Sequence, residues 1–93
     1  MMKITIKKSF ERDVKKIRDR ELMIKVLDVI SDLEALESYN QIPNLKKLNG
    51  YKYSHRIAFA HSSVKYRICL NIKENQISIE RFLPRSKSYR LFF

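Results

Sequence analysis

Glycine, proline, cysteine and tryptophan are all scarce in this 93-residue chain, which has one glycine, two prolines, one cysteine and no tryptophan. So little glycine and proline argues against linkers and low-complexity segments. A single cysteine, Cys69, cannot form an internal disulfide, which favours the reducing cytoplasmic compartment. No apolar run is long enough for a signal peptide or approaches the roughly 18 residues of a membrane span.

Metal-binding patterns are also lacking. His55 and His61 are six residues apart, no carboxylate cluster lies near them, and their spacing does not resemble a zinc site. We therefore expect neither a metal nor another small-molecule cofactor.

Positive charge is abundant instead. Twenty Lys and Arg against ten Asp and Glu give a net charge of +10. Residues 1–45 carry nine basic and eight acidic side chains, whereas residues 46–93 carry eleven basic side chains and only two acidic ones, Glu74 and Glu80. Solubility alone does not require that asymmetry, so it predicts a surface in the second half that binds a polyanion, with nucleic acid the foremost candidate.

The hydrophobic pattern predicts a single α+β domain over residues 1–93. A short strand is expected at Lys3–Lys7, a first helix from Phe10 with Ser9 as its N-cap, and a longer helix over Glu21–Ser38. After Leu45 the period changes from 3.6 to 2 and gives three hairpin-connected strands. The expected order is strand-helix-helix-strand-strand-strand, an antiparallel sheet with two helices packed on one face.

The turn between the first two of those three strands fixes which side chains are opposite one another. If Ser62-Ser63 is a two-residue hairpin loop, cross-strand partners have residue numbers that sum to 125. Arg67 is then opposite Ala58, and Arg56 is its diagonal neighbour, on the face away from the helices. Two arginines beside a hollow favour a phosphate, although solvated polar positions on a half-exposed sheet would give the same pattern. Cys69 is expected to be a small filler whose pKa the arginines could lower.

Four short motifs in order resemble the RelE/ParE superfamily of bacterial toxins. They are the segment Leu45–Gly50, the triplet around Arg56, the triplet around Arg67, and the segment Arg85–Tyr89; "SFERDVKKI" also looks like the family's first helix. The resemblance covers nearly the whole chain. It implies a RelE-like fold and the toxin of a type II toxin–antitoxin pair, held inactive by a cognate antitoxin protein.

The resemblance to RelE-like members implies a ribosome-dependent endoribonuclease that cleaves mRNA in the ribosomal A site without a metal. Arg56, Arg67 and Arg85 would hold the scissile phosphate, and Tyr89 would stack on a base or take part in proton transfer. Many members carry a second basic residue where this chain has Ala58. A neighbouring basic residue would have to replace it, or the activity is weak; the candidates are His55, His61 and Lys87.

The lysines near Gly50 complete the set of candidate residues. Lys46, Lys47 and Lys52 are either solubilising surface charges or contacts to RNA phosphate, as is Lys87. By strand parity His55 and His61 are expected on the helix-covered face, which favours a structural role over proton transfer.

Two other functions remain open from the sequence. A ParE-like inhibitor of DNA gyrase has the same fold, and Ala58 favours it, whereas the arginine cluster and Tyr89 do not. A basic RNA-binding module without activity would explain the charge alone. The partners expected for the nuclease are the antitoxin, the ribosome and mRNA, with no membrane.

Overall fold

The computed structural model describes residues 3–86, which form five strands and two α-helices. In chain order they are β1 (Lys3–Ile6), α1 (Lys8–Lys15), α2 (Arg20–Ala35), a short 3-10 helix (Tyr39–Gln41), β2 (Leu45–Lys47), β3 (Ser54–His61), β4 (Val64–Lys73) and β5 (Gln76–Pro84). The strands make one sheet in the order β1-β5-β4-β3-β2. Neither helix in this part of the chain is long and apolar enough to cross a membrane.

One hydrophobic core lies between the helices and a single face of the sheet. Helix α1 contributes Phe10, and α2 contributes one stripe at helical spacing, Leu22, Val26, Ile30 and Leu33. The strands supply Ile57, Ile68, Leu70, Ile72, Ile77 and Ile79 at every second position, and β5 adds Phe82 beyond a β-bulge. The α+β class, the order of the predicted elements and the packing of both helices on one face are therefore confirmed.

The sheet differs from the expected one in two respects. Strand β1 pairs with β5 in parallel, with Ile4 opposite Ile77, so the sheet is mixed rather than wholly antiparallel. Strand β2 was not expected at all. It has only three residues and pairs with β3, with Leu45 opposite Ile57, which is too short a run to show an alternating pattern.

The hairpin between β3 and β4 has the expected register. Ala58 is opposite Arg67 and Arg56 is opposite Cys69, as a two-residue loop requires. Both loop residues have positive φ, +49° at Ser62 and +67° at Ser63. This is the geometry of the hairpin turns whose twist matches the flanking strands, and serine adopts it less easily than glycine or asparagine.

The boundaries of α2 depend on capping side chains. Asp19 caps α2, because its Oδ1 accepts hydrogen bonds from the backbone N–H groups of Glu21 and Leu22 at 3.0 and 3.2 Å. Helix α2 ends at Ala35, three residues before the predicted Ser38. Ser38 caps the following 3-10 helix and completes a capping box with Gln41.

Ser9 is not an N-cap. Helix α1 begins at Lys8, two residues before the expected start at Phe10, and Ser9 Oγ donates a 2.6 Å hydrogen bond to the backbone oxygen of Glu80. The partner lies 71 residues away in sequence, so no local rule could have found it.

Helix α1 covers the edge of β5 where β1 ends. Beyond Ile79, no strand among residues 3–86 pairs with β5 on that side, and the carboxylate of Asp13 accepts a 3.0 Å hydrogen bond from the backbone N–H of Phe82. The same carboxylate accepts hydrogen bonds from two nitrogens of Arg81, Nε at 2.7 Å and Nη2 at 3.0 Å. Asp13 is buried, so its charge is neutralised by a guanidinium and a backbone donor.

We expect Asp13→Asn to lower the free energy of unfolding by about 2–3 kcal/mol, because one of the two acceptor oxygens becomes an NH2 donor that meets another donor, and Arg81 loses its counter-charge. Urea unfolding followed by circular dichroism measures the change. Asp28→Asn on the exposed side of α2 is the matched control and should stay within about 0.5 kcal/mol of the parent. Equal stabilities for the two variants would contradict the role given to Asp13.

Candidate nucleic-acid interface

Three arginines from separate parts of the chain border one pocket of about 380 Å³ on the face of the sheet away from the helices. Arg56 lies on β3, Arg67 on β4, and Arg85 directly follows β5. We call it the arginine pocket; its lining residues are Arg56, Ala58, Phe59, Ala60, Lys65, Tyr66, Arg67 and Arg85. Its volume is within the range of small-ligand sites.

Strand alternation explains why the arginines share a face. Ile57 and Ile68 belong to the core under the helices, so their chain neighbours Arg56 and Arg67 project to the other face. Ala58 is opposite Arg67, and Ala60 is opposite Lys65. Each pair sets a methyl group against a long cationic side chain, and the difference in size leaves the hollow.

The three arginines differ in exposure. Arg67 is 5% exposed, Arg56 is half-buried and Arg85 is exposed. Arg67 and Arg85 also interact with other groups of the protein, so neither is an isolated charge. A guanidinium group suits the planar, bidentate recognition of a phosphate.

Lys65 is a pocket residue that the sequence interpretation missed. It is exposed, pairs with Ala60 and borders the pocket beside Arg67. The signal was present in the sequence, because the register that pairs Ala58 with Arg67 also places Lys65 two residues along the same face.

Cys69 lies on the same face next to Arg67, and it is not ionised. Burial raises the pKa of its thiol to about 11, which outweighs the opposing effect of the nearby arginines Arg67, Arg81 and Arg56. The expectation that the arginines could lower this pKa is therefore wrong. Because Cys69 is only 1% exposed, desolvation dominates, and the thiol fills space instead of acting as a nucleophile.

Arg81 is another basic residue that the sequence interpretation missed on this side of the sheet. Its cross-strand partner is Cys69, and its guanidinium is held by Asp13. The hydrogen bonds that Arg81 donates to the Asp13 carboxylate raise the pKa of Arg81 above its ordinary value. Its charge therefore already has a buried carboxylate as partner, which reduces the attraction of Arg81 for an external anion.

The structure does not bring the two histidines into the pocket. Both are buried on the helix-covered face, as strand parity indicated. His61 Nε2 lies 2.8 Å from Asp19 Oδ2, and the hydrogen bond to this histidine lowers the pKa of Asp19. His55 Nδ1 donates to the backbone oxygen of Tyr53 at 2.8 Å. Both have structural partners, which disfavours the role in proton transfer that the sequence left open.

The three lysines near Gly50 separate in space. On β2, Lys46 is opposite Arg56 of β3 and so lies on the pocket's side of the sheet. Lys47 is opposite His55 and so lies on the helix-covered side. Lys52 lies outside the arginine pocket, with its Nζ 5.4 Å from the centre of the Tyr53 ring. Lys87 and Tyr89 fall outside the residues that the structure describes, so their predicted roles stay predictions.

Comparison of the fold with solved structures gives clear matches. The chain matches the RelE toxin of the RelB–RelE antitoxin–toxin complex from Methanococcus jannaschii with a TM-score of 0.75 and 23% identity, covering 96% of this chain and 99% of that one. This chain has a RelE-like fold. No protein-family model and no curated protein matches its sequence.

Two structures from Helicobacter pylori share the RelE-like fold at lower similarity. One is a conserved hypothetical protein, with a TM-score of 0.61, 20% identity, and coverage of 92% of this chain and 97% of that one. The other is a copper-bound mutant toxin, with a TM-score of 0.55, 21% identity, and coverage of 94% and 98%. At these identities the comparisons establish the fold, and the fold predicted from the four motifs is confirmed.

We expect the Cys69 thiol to react with iodoacetamide at pH 8 about a hundredfold more slowly in the native protein than in urea. A pKa near 11 leaves about one thiolate per thousand thiols at that pH.

Folding raises this pKa, so Cys69 also makes the free energy of unfolding depend on pH. Its contribution is complete below the pKa of the unfolded thiol and is lost as the pH rises toward 11. Rapid alkylation of the native protein at pH 8, measured by mass spectrometry, would refute this assignment.

Proposed function

We propose that this RelE-like protein is the toxin of an antitoxin–toxin pair and cleaves messenger RNA on the ribosome. The observation that carries the proposal is the single pocket bordered by Arg56, Arg67 and Arg85 on the face away from the helices. Three guanidinium groups gathered around one hollow favour the binding of a polyanion.

The chemistry is transesterification within the RNA strand. The ribose 2′ oxygen attacks the phosphorus as its proton leaves to a base, the bond from phosphorus to the 5′ oxygen breaks, and that oxygen receives a proton from an acid. The products are a 2′,3′-cyclic phosphate and a free 5′ hydroxyl. Negative charge grows on the phosphate oxygens in the transition state, and the arginines would stabilise it there.

Proton transfer is the part of this chemistry to which the described pocket contributes least. Its described lining contains no histidine and no carboxylate. Lys65 is the ammonium group bordering the pocket, and we assign to it the protonation of the leaving 5′ oxygen. In this assignment Lys65 replaces the second basic residue that the family pattern has where this chain has Ala58, because Lys65 is a diagonal neighbour of Ala58 across the β3–β4 pair. Tyr89 keeps its sequence-based role in stacking or proton transfer.

An acidic antitoxin segment is the partner that the charge favours. The M. jannaschii neighbour is a complex of RelE with RelB. A net charge of +10 on this chain would attract an anionic partner strongly, and a segment that covered the arginine pocket would block RNA at the same time. We place the pair in the cytoplasm, where messenger RNA and ribosomes are found and where the single thiol stays reduced.

Gyrase inhibition remains the second candidate, because Ala58 removes a basic group from the pocket. Gyrase inhibition does not require a phosphate-sized arginine cluster. We therefore expect the purified protein to leave gyrase supercoiling unchanged and to cleave mRNA in a translation reaction. A plain RNA-binding module would bind RNA with a steep salt dependence and would not arrest growth on expression.

Arg56→Gln and Arg67→Lys should each reduce mRNA cleavage about 10²- to 10³-fold, because each removes planar donors that stabilise the developing charge. Primer extension on mRNA from an in vitro translation reaction measures the cleavage. Arg67→Lys keeps the positive charge, so its loss of activity would show that bidentate geometry matters.

Arg12→Gln on the exposed surface of α1 is the matched control for lost charge and should cleave like the parent. Circular dichroism and thermal unfolding show whether each variant is folded. Full cleavage by folded Arg56→Gln and Arg67→Lys variants would overturn the roles of the arginine pocket.

Lys65→Gln should lower cleavage by roughly tenfold to a hundredfold, and Lys65→Arg should not restore it, since an arginine does not release its proton. The useful readout is a substrate whose 5′ leaving oxygen is replaced by sulfur, which needs no protonation. If Lys65 is the acid, the Lys65→Gln defect disappears with the thio substrate; an unchanged defect would assign Lys65 to binding only.

A further inference from the structure

A second concave surface, separate from the arginine pocket, lies on the same face of the sheet. It has a volume of about 560 Å³ and spans four strands. We call it the lysine–tyrosine groove; its lining residues are Thr5, Lys7, Tyr51, Lys52, Tyr53, Ser54, Asn71, Lys73, Gln76, Ile77 and Ser78.

The floor of the groove is a continuous polar row. Thr5 is opposite Ser78, Ser78 is opposite Asn71, and Asn71 is opposite Ser54, so the row crosses β1, β5, β4 and β3 in register. Ser54 Oγ donates a 3.1 Å hydrogen bond to Asn71 Oδ1. At about 4.8 Å between neighbouring strands, the row is roughly 14 Å long.

Lysine and tyrosine side chains form the walls. The ring of Tyr53 has two ammonium groups near it, Lys52 Nζ at 5.4 Å and Lys73 Nζ at 5.5 Å from its centre. Both distances suit cation–π attraction, which holds the two charges beside the groove. Lys7 borders the side next to β1, and Tyr51 is 45% exposed at the rim.

The carboxylates beside the groove are fewer than the lysines. Glu80 accepts a hydrogen bond from Ser78 Oγ, and Glu74 follows Lys73 in the turn before β5. Three lysines line the groove itself, so among the described residues the local excess is positive.

We propose that the lysine–tyrosine groove binds the sugar–phosphate backbone of single-stranded RNA, with Tyr51 stacking against a base. The combination of a positively charged groove and an exposed aromatic ring is the usual means of binding single strands without reading their sequence. The choice of RNA over other polyanions rests on the proposed function of the arginine pocket.

The two surfaces are close enough for one strand to occupy both. On this face the cross-strand pairs follow in the order Ser54 with Asn71, Arg56 with Cys69, and Ala58 with Arg67. Successive pairs are about 7 Å apart along the strands, which sets the groove floor roughly 14 Å from Arg67. The groove would therefore hold the RNA on one side of the scissile phosphate.

The test compares two triple variants of equal charge. Lys7→Gln/Lys52→Gln/Lys73→Gln removes the groove lysines, and Lys8→Gln/Lys15→Gln/Lys16→Gln removes three exposed lysines from α1 and its C-terminal end. The probe is a fluorescein-labelled 12-nucleotide RNA of mixed sequence with 2′-O-methyl groups throughout, which cannot undergo attack by a 2′ hydroxyl. Fluorescence anisotropy gives the dissociation constant at several salt concentrations.

The groove variant should bind on the order of tenfold to a hundredfold more weakly at 0.1 M salt. The plot of the logarithm of the association constant against the logarithm of the salt concentration should become less steep by about 2, as expected for three lost phosphate contacts on a single strand. The α1 variant should change affinity less than threefold. Equal affinities and slopes for the two variants would overturn the proposal.

Tyr51 provides a second, charge-independent test. Tyr51→Phe should keep the affinity of the parent, and Tyr51→Leu should lose about fivefold or more, because stacking needs the ring and not the hydroxyl. Equal binding by both variants would remove the stacking role. Because the probe cannot be cleaved, a groove defect in a protein that shows no nuclease activity would support the groove and reject the nuclease.

Discussion

The register between β3 and β4 is the constraint on which the candidate site depends. The Ser62-Ser63 turn fixes it, and side chains alternate between faces with a period of two. A slip of one residue would send Arg67 beneath the helices and turn Ile68 to solvent. The hydrophobic cost of exposing the buried isoleucines therefore maintains the arrangement of the arginines, although the arginines themselves make no contribution to that core.

The edge of β5 is the second place where packing decides the chemistry. A bulge leaves Glu80 without a cross-strand partner, because Cys69 is opposite Arg81 while Leu70 is opposite Ile79. The extra residue changes the parity of the strand, which places Arg81 on the side of Cys69. There the Asp13 carboxylate of α1 neutralises it. The bulge thus adds a guanidinium near the pocket, and the helix determines how much of its charge is available.

Much of the fold could be read from the sequence because its signals are local. Periodicity located both helices and the three longest strands, and the two-residue hairpin was placed correctly. Parity alone put His55 and His61 on the helix-covered face. The errors fall where a short segment or a distant partner decides: three-residue β2, the start of α1, and Ser9, whose hydroxyl bonds to Glu80 instead of capping a helix. Capping by Asp19 was local and could have been found, since aspartate is a preferred N-cap.

The sequence by itself determined the α+β class, the register of the central hairpin and the uneven charge, because each follows from neighbouring residues or from composition. It also determined that Arg56 and Arg67 share a face. Only the tertiary structure brought Arg85 to the same pocket and separated Lys52 into a second groove. The position of Arg85 depends on strand order and on the β5 bulge. Burial likewise fixed the neutral state of Cys69, since desolvation depends on what the whole fold excludes from water.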